Sequence, residues 1–308
     1  MVRRSGPRPN VGRGGGSTPR PGPRSTAPTP SPHARFLRQG RDRAEREWAR
    51  YEGTAQRDLF RLLRERFLAR HAVSSGWTLD VGAGPGRFAP LVGRGGARPI
   101  ALDLSLEMLR RTERARGSGT RTPEVERVRG DALRLPFPDG TFSEVALLGN
   151  TLGFEADAGE RLLDSVESRL APGGCLLVEA APGPGERSRY LARLPPSAVR
   201  RLLAAPPPLV ASRLRSEGYS VEPVRHRTEA FRRWSAPQLI GRWEGQGWTV
   251  DEVTAVAPAL GADPERLSEA AKDPRAWARL LELEELIGRQ PARWAKAAAV
   301  LLAARAPP

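Results

Sequence analysis

Residues 79–90 read LDVGAGPGRFAP: a short apolar run, a carboxylate at Asp80, and then Gly82, Gly84 and Gly86. Glycine has no side chain to keep a ligand at a distance, so a turn built this way lets the main chain approach a bound molecule closely. Several nucleotide-binding folds use such a turn, and spacing separates them. Counted from Gly82, the last position of a G-x-G-x-x-G dinucleotide fingerprint is Arg87. Counted from Gly84, the frame ends on Ala89 and fits only the relaxed G-x-G-x-x-A form, which keeps a hydride-transferring oxidoreductase as an alternative. A P-loop is excluded, because no Gly-Lys-Ser/Thr follows. A second carboxylate, Asp103, ends the run RPIALD, where it can accept both hydroxyls of a ribose. A third acid, Asp131, lies in GDALRLPFPDGTF; with Gly130 and Ala132 it can hold a purine, a role the dinucleotide fingerprint does not assign to this loop.

These residues must be positioned by strands and helices, and the chain alternates the two. The short apolar runs WTLDV, RPIALDL, EVERVRGDA, FSEVALLGN and GGCLLVEAA are separated by helix-like stretches. RDLFRLLRERFLARH puts Leu59, Phe60, Leu63 and Phe67 at helical spacing, with arginines on the other side. AGERLLDSVESRLAPGG puts Leu162, Leu163, Val166 and Leu170 on one face and predicts a stop at Pro172-Gly173-Gly174. Apolar strands alternating with amphipathic helices imply a doubly wound α/β domain, a parallel sheet covered on both faces. Such sheets bind ligands beyond the carboxyl ends of their strands, where Asp80, Asp103 and Asp131 stand. Further on, SAPQLIGRWEGQGWTVDEVTAVAP reads as helix, glycine turn and strand, and residues 297–305 as a closing strand.

Composition sets the outer limits. The 308 residues suffice for a sizeable core, and 39% of them are hydrophobic. The net charge of +15 would suit an anionic partner, but residues 1–47 alone hold eleven arginines against three acids. Residues 1–40, rich in Pro, Gly, Ser and Arg, are expected to be a disordered basic tail, an inert extension before a tether to RNA. Cys175 is the only cysteine, which rules out an intrachain disulfide and speaks against a cysteine-built metal site, so no metal is expected. No apolar stretch approaches the roughly 20 residues of a membrane span, and the basic start lacks the apolar segment of a secretory signal. A cytoplasmic protein that does not engage membrane is the expectation.

Taken together, LDVGAGPG, DLSLEML, GDALRLPFPDGTF and LAPGG, in that order, resemble the class I S-adenosylmethionine-dependent methyltransferases of the type 11-like branch over residues 75–182. The resemblance implies S-adenosyl-L-methionine as cofactor and a Rossmann-like sheet of seven strands, the last antiparallel beside the fifth. It implies that Asp80 faces the methionine amino group and that Gly82, Ala83, Gly84 and Gly86 pack beneath the cofactor. Asp103, with Leu104 beside it, binds ribose; Asp131 and the Ala132 amide bind adenine; and Met108 lies on the adenosine face or in the helix core. One departure from the family pattern is Ser143-Glu144 after Phe142, where many relatives have aspartate.

For the acceptor, Asn150 and Thr151 stand at the end of the fourth strand, and Asn150 reads equally as a helix cap. The sequence there lacks the Pro-Pro-aromatic motif of relatives that methylate base amino groups. Residues 183–235 are expected to form a lid over the acceptor, inserted after the fifth strand of a methyltransferase domain spanning 41–308. Within the lid His226 is a candidate base and Tyr190, Arg225, Arg227 and Arg232 are polar candidates. Trp48 and Tyr51 either close over the cofactor or pack the leading helix. The reading favours methyl transfer to a small molecule. An RNA or ribosomal-protein methyltransferase comes next, then a non-catalytic, cofactor-binding assembly factor. Oligomeric state is not legible.

Overall fold

The computed structural model describes residues 41–92, 96–114, 124–154, 158–181, 219–224, 227–232, 234–257, 264–295, 297 and 299–308. Seven strands form one sheet: β1 (Trp77–Val81), β2 (Arg98–Asp103), β3 (Glu126–Arg129), β4 (Phe142–Leu147), β5 (Leu170–Ala180), β8 (Thr249–Val256) and β9 (Ala299–Arg305). Their order is β3-β2-β1-β4-β5-β9-β8. Strands β1 to β5 pair in parallel, and β9 runs antiparallel to both β5 and β8. The closing strand therefore lies antiparallel beside the fifth, as expected. The order reverses direction between β1 and β4, so the crevice for a ligand opens beyond their carboxyl ends.

Period-two alternation explains the two layers of core. Val145 and Leu147 of β4, with Leu176 and Val178 of β5, point to one face. There they meet Leu162, Leu163 and Val166 of α6 (Gly159–Glu167), and Leu239 and Trp243 of α7 (Ala236–Gly245). Ala146 of β4 and Cys175 and Leu177 of β5 point the other way, onto Leu59, Leu63, Phe67 and Leu68 of α2 (Ala55–His71). Local chemistry sets the helix starts. The Thr54 side chain accepts the Arg57 N–H to begin α2, and Ser235 and Gln238 form a reciprocal capping box at the start of α7. On the first face, Arg242 of α7 binds Glu160, Asp164 and Glu167 of α6, while the Trp243 indole N–H donates to Glu167 at 2.9 Å.

One expectation needs correction. Helix α6 ends at Glu167, well before the Pro-Gly-Gly, and Leu170 already belongs to β5, paired with Phe142. The apolar periodicity ran through the boundary because Leu170 is buried against the same core as Val166. Within the insertion, Tyr219–Val224 (β6) and Arg227–Arg232 (β7) form a separate antiparallel hairpin, with β7 close to α5 (Thr151–Phe154). Residues 1–40, the rest of the insertion up to residue 218, and His226, Tyr190 and Arg225 lie outside the described residues. So the expected tail, most of the expected lid and the candidate base have no structural account.

Candidate active site

A cleft at the β1/β4 switch point is lined by Asp80, Gly82, Ala83, Gly84, Leu102, Asp103, Leu104, Met108, Gly130, Asp131 and Ala132. Ten side chains or turn positions were expected to bind cofactor, and only Gly86 is absent from this wall. The three glycines differ in purpose, although all have positive φ, at 68°, 56° and 76°. A Cβ on Gly82 would meet the Thr151 side chain at 2.6 Å, and one on Gly86 would collide with Thr112 of α4 (Leu106–Arg114). A Cβ on Gly84 would meet nothing. Gly84 alone leaves its space to the cleft, while Gly82 and Gly86 let the turn dock against its neighbours.

The turn's N–H groups are already engaged. Gly82 and Ala83 both donate to the Leu102 carbonyl, at 2.8 and 3.0 Å, and Gly86 donates to Ala83 at 3.0 Å. Gly84 donates to Asp103 Oδ2 at 2.9 Å, and Pro85 has no N–H to give. The helix that follows, α3 (Ala89–Val92), is a single turn. A pyrophosphate held at a glycine turn needs free N–H groups and a helix dipole, and neither is offered between Gly82 and Gly86.

Carboxylates instead set the field. Asp103 Oδ1 accepts the Ser105 N–H at 2.8 Å, and burial raises its pKa although the N–H groups of Ser105, Gly84 and Leu104 pull it back. Asp80 is 3% exposed, and burial together with the Asp103 charge pushes its pKa up to about 7. Two acids held this way raise each other's cost of ionising and create a site that favours a cation. Asp131 Oδ1 accepts the Leu133 N–H at 3.0 Å, capping the 3-10 turn Ala132–Arg134 and presenting that turn to the cleft. Met108 is buried in the helix core and also lines the cleft.

The opposite wall comes from α1 (Arg41–Ala49) and the turn after it, through Arg43, Glu47, Arg50 and Tyr51. Trp48 fastens this helix. Its ring is sandwiched between the guanidinium groups of Arg87 and Arg111, 4.1 and 4.0 Å from the centroid, and Arg87 also donates to the Trp48 carbonyl at 2.8 Å. Trp48 is thus a packing residue, and Tyr51 is the one that reaches the cleft. Beyond β4, Leu148, Gly149, Thr151 and Leu162 line the far end. Asn150 is absent from this wall; its φ of 65° explains the residue type, since asparagine tolerates the left-handed region. Sequence reasoning missed Arg43, Glu47 and Arg50 because nothing in α1 matches a motif; their only signal was proximity to the flagged Trp48 and Tyr51. Among the described residues no cluster of metal-ligating side chains occurs, and no helix is long and apolar enough to cross a membrane.

Residues 78–174 match the family model of a methyltransferase domain. Demethylmenaquinone methyltransferase of Thermobifida fusca is 45% identical over 76 residues, covering 25% of this chain and 32% of that protein. The enzyme of that name from Thermus thermophilus is 38% identical over 112 residues, covering 34% of this chain and 47% of that protein. The chain thus matches 32% and 47% of the length of these curated relatives, less than half of either. A SAM-dependent methyltransferase of Methanosarcina mazei has the same fold, with a TM-score of 0.51 at 16% identity, covering 78% of this chain and 97% of that one.

Proposed function

We propose that this chain is a class I S-adenosylmethionine-dependent methyltransferase, as the methyltransferase-domain match over residues 78–174 supports, and that it transfers the cofactor's methyl group to a small-molecule acceptor. The observation that carries this reading is a glycine turn whose N–H groups are spent internally, set between Asp80 and Asp103. That surface suits an adenosyl ligand that is cationic and free of phosphate, and suits a dinucleotide poorly.

When bound, S-adenosylmethionine supplies an electrophilic methyl on its sulfonium, so the chemistry needs alignment and exclusion of water more than a strong acid or nucleophile. Asp103 takes the ribose hydroxyls, Asp131 and the Ala132 amide take the adenine edge, and Asp80 faces the methionine ammonium. Met108 and Leu104 cover the adenosine, and Ala83 and Gly84 pack beneath it. The acceptor enters at the β4 end, past Gly149 and Thr151, under a lid built from residues 183–235. Where an acceptor must lose a proton, His226 of that lid is the candidate base.

The small-molecule acceptor is supported by the demethylmenaquinone methyltransferases among the relatives, whose names describe a quinone rather than a macromolecule as substrate. The test is transfer of radiolabelled methyl from the cofactor into fractionated cell extract. Label is expected in the small-molecule fraction. Label confined to RNA or protein would move the reading to a macromolecular acceptor, and salt-sensitive RNA retention lost on deleting residues 1–40 would assign the tail to it.

A further inference from the structure

Two residues that no motif marks meet in the interior beside the acceptor end of the cleft. Arg64 of α2 and Glu179 of β5 are 5% and 4% exposed. Glu179 Oε2 accepts Arg64 Nε at 2.9 Å and Oε1 accepts Arg64 Nη2 at 2.5 Å, a two-pronged ion pair. Each partner has one further commitment on the way to the cleft. Glu179 Oε2 also accepts the Gly149 N–H at 3.1 Å, and the Arg64 guanidinium stands 5.5 Å from the centroid of the Tyr51 ring. Gly149 and Tyr51 both line the cleft.

Topology separates this pair from the adenosine end. Asp103 is on β2, and the sheet runs β2-β1-β4-β5, so Glu179 lies three strands away, about 14 Å at the usual strand spacing. The turn it grips closes on the Leu148 carbonyl, which accepts the Thr151 N–H at 3.2 Å and the Thr151 hydroxyl at 2.7 Å; between them Gly149 and Asn150 are both left-handed, at φ 65°, and the Gly149 N–H goes to Glu179. A buried ion pair is weak evidence of a gain in stability, because desolvation offsets most of its attraction. An apolar pair would fill the same space, so the useful property is the reach of its spare valences.

We infer that Arg64 and Glu179 are positioning residues for methyl transfer: they fix the Leu148–Thr151 turn through the Gly149 N–H, and Tyr51 through the guanidinium, from behind the cleft wall. The inference rests on the methyltransferase reading. Its test compares the full-length wild type with Arg64→Met/Glu179→Met, which replaces the pair by apolar groups of similar length, and with Glu179→Gln, which keeps an acceptor for the N–H. Three quantities are read: hydrogen exchange of the Gly149 amide, S-adenosylhomocysteine affinity by calorimetry, and transfer of labelled methyl into the small-molecule fraction of cell extract.

The folded double variant should hold S-adenosylhomocysteine within about threefold of wild type, because the adenosine contacts are distant. It should exchange the Gly149 amide at least about tenfold faster and transfer methyl at least about tenfold more slowly, as expected when reacting groups lose alignment. Glu179→Gln should lose a smaller part of both, and if the double variant does not fold it decides by the same readouts. Wild-type exchange and wild-type transfer in either folded variant would overturn the inference and leave the pair a packing feature. Failure of the wild type to bind S-adenosylhomocysteine would instead remove the functional reading, while the amide measurement would still decide whether the pair fixes the turn.

Discussion

The carboxylate of Asp103 is bound to the glycine turn that it faces: the Gly84 N–H donates to Oδ2 at 2.9 Å, and the Ser105 N–H donates to Oδ1 at 2.8 Å. The same group that would take a ribose therefore also sets the shape of the floor beneath it. Asp103→Ala should weaken S-adenosylhomocysteine binding about 10- to 100-fold, the worth of charge-assisted hydrogen bonds. Calorimetry on a variant shown to be folded by circular dichroism checks this. Unchanged affinity would refute the ribose assignment.

Asp80 predicts a pH dependence of binding. Its carboxyl holds a proton up to about pH 7 through burial and the neighbouring Asp103 charge. A cationic ligand favours the ionised form, so the proton competes with it. Affinity for S-adenosylmethionine should rise as pH climbs toward 7 and level off above, and binding below that point should release protons. Titrations in buffers of different ionisation enthalpy measure the release, and Asp80→Asn should abolish it.

The glycines should separate by readout. Gly86→Ala forces a methyl into Thr112 at a left-handed φ and should cost about 1–3 kcal/mol of stability or more. Gly84→Ala, with open space before it, should cost about 1–2 kcal/mol from the backbone alone while sharply weakening cofactor binding. Thermal unfolding and calorimetry run side by side distinguish the two. Equal loss of binding with equal loss of stability in both would contradict the division of labour.

Much of this was legible in the chain. Asp80 and Asp103 stand at the carboxyl ends of β1 and β2 and Asp131 just beyond β3, and the short apolar runs between helix-spaced stretches located those strands. What spacing cannot report is partnership across the sheet. Arg64 sits among surface-like arginines of α2, and nothing local distinguishes it from Arg61, which pairs at the surface with Asp58 and Glu65. Only the packing of α2 on the β4-β5 face brings Glu179 to it. Likewise Gly86 looks like a ligand-facing glycine until Thr112, one helix later, is seen to fill its side-chain space. The boundary at Leu170 was misread because a strand entering the same core continues the apolar pattern of the helix before it.

Glu144, next to the Ser143 position where the chain departs from the family pattern, predicts a stability change. It is fully buried, its Oε2 accepts the Val73 N–H at 3.0 Å, and burial pushes its pKa from 4.5 up to about 8. Between those values the folded chain keeps a proton that the unfolded chain releases. This contribution is therefore fully present below about pH 4.5 and is lost as pH rises through about 8. Glu144→Gln should flatten the decline, and urea unfolding of both proteins across that range reads the difference. A parallel pH dependence in the two would place the charge elsewhere.

The central claim is that a glycine turn with no N–H to spare, flanked by two carboxylates, is a cradle for a cationic adenosyl compound. Titration calorimetry of the full-length chain with S-adenosylmethionine, S-adenosylhomocysteine and NADH tests it most directly. Saturable heat is predicted for the first two, with dissociation constants on the order of micromolar, and none for NADH. Heat with NADH and none with either adenosyl compound, from folded protein, would contradict the account.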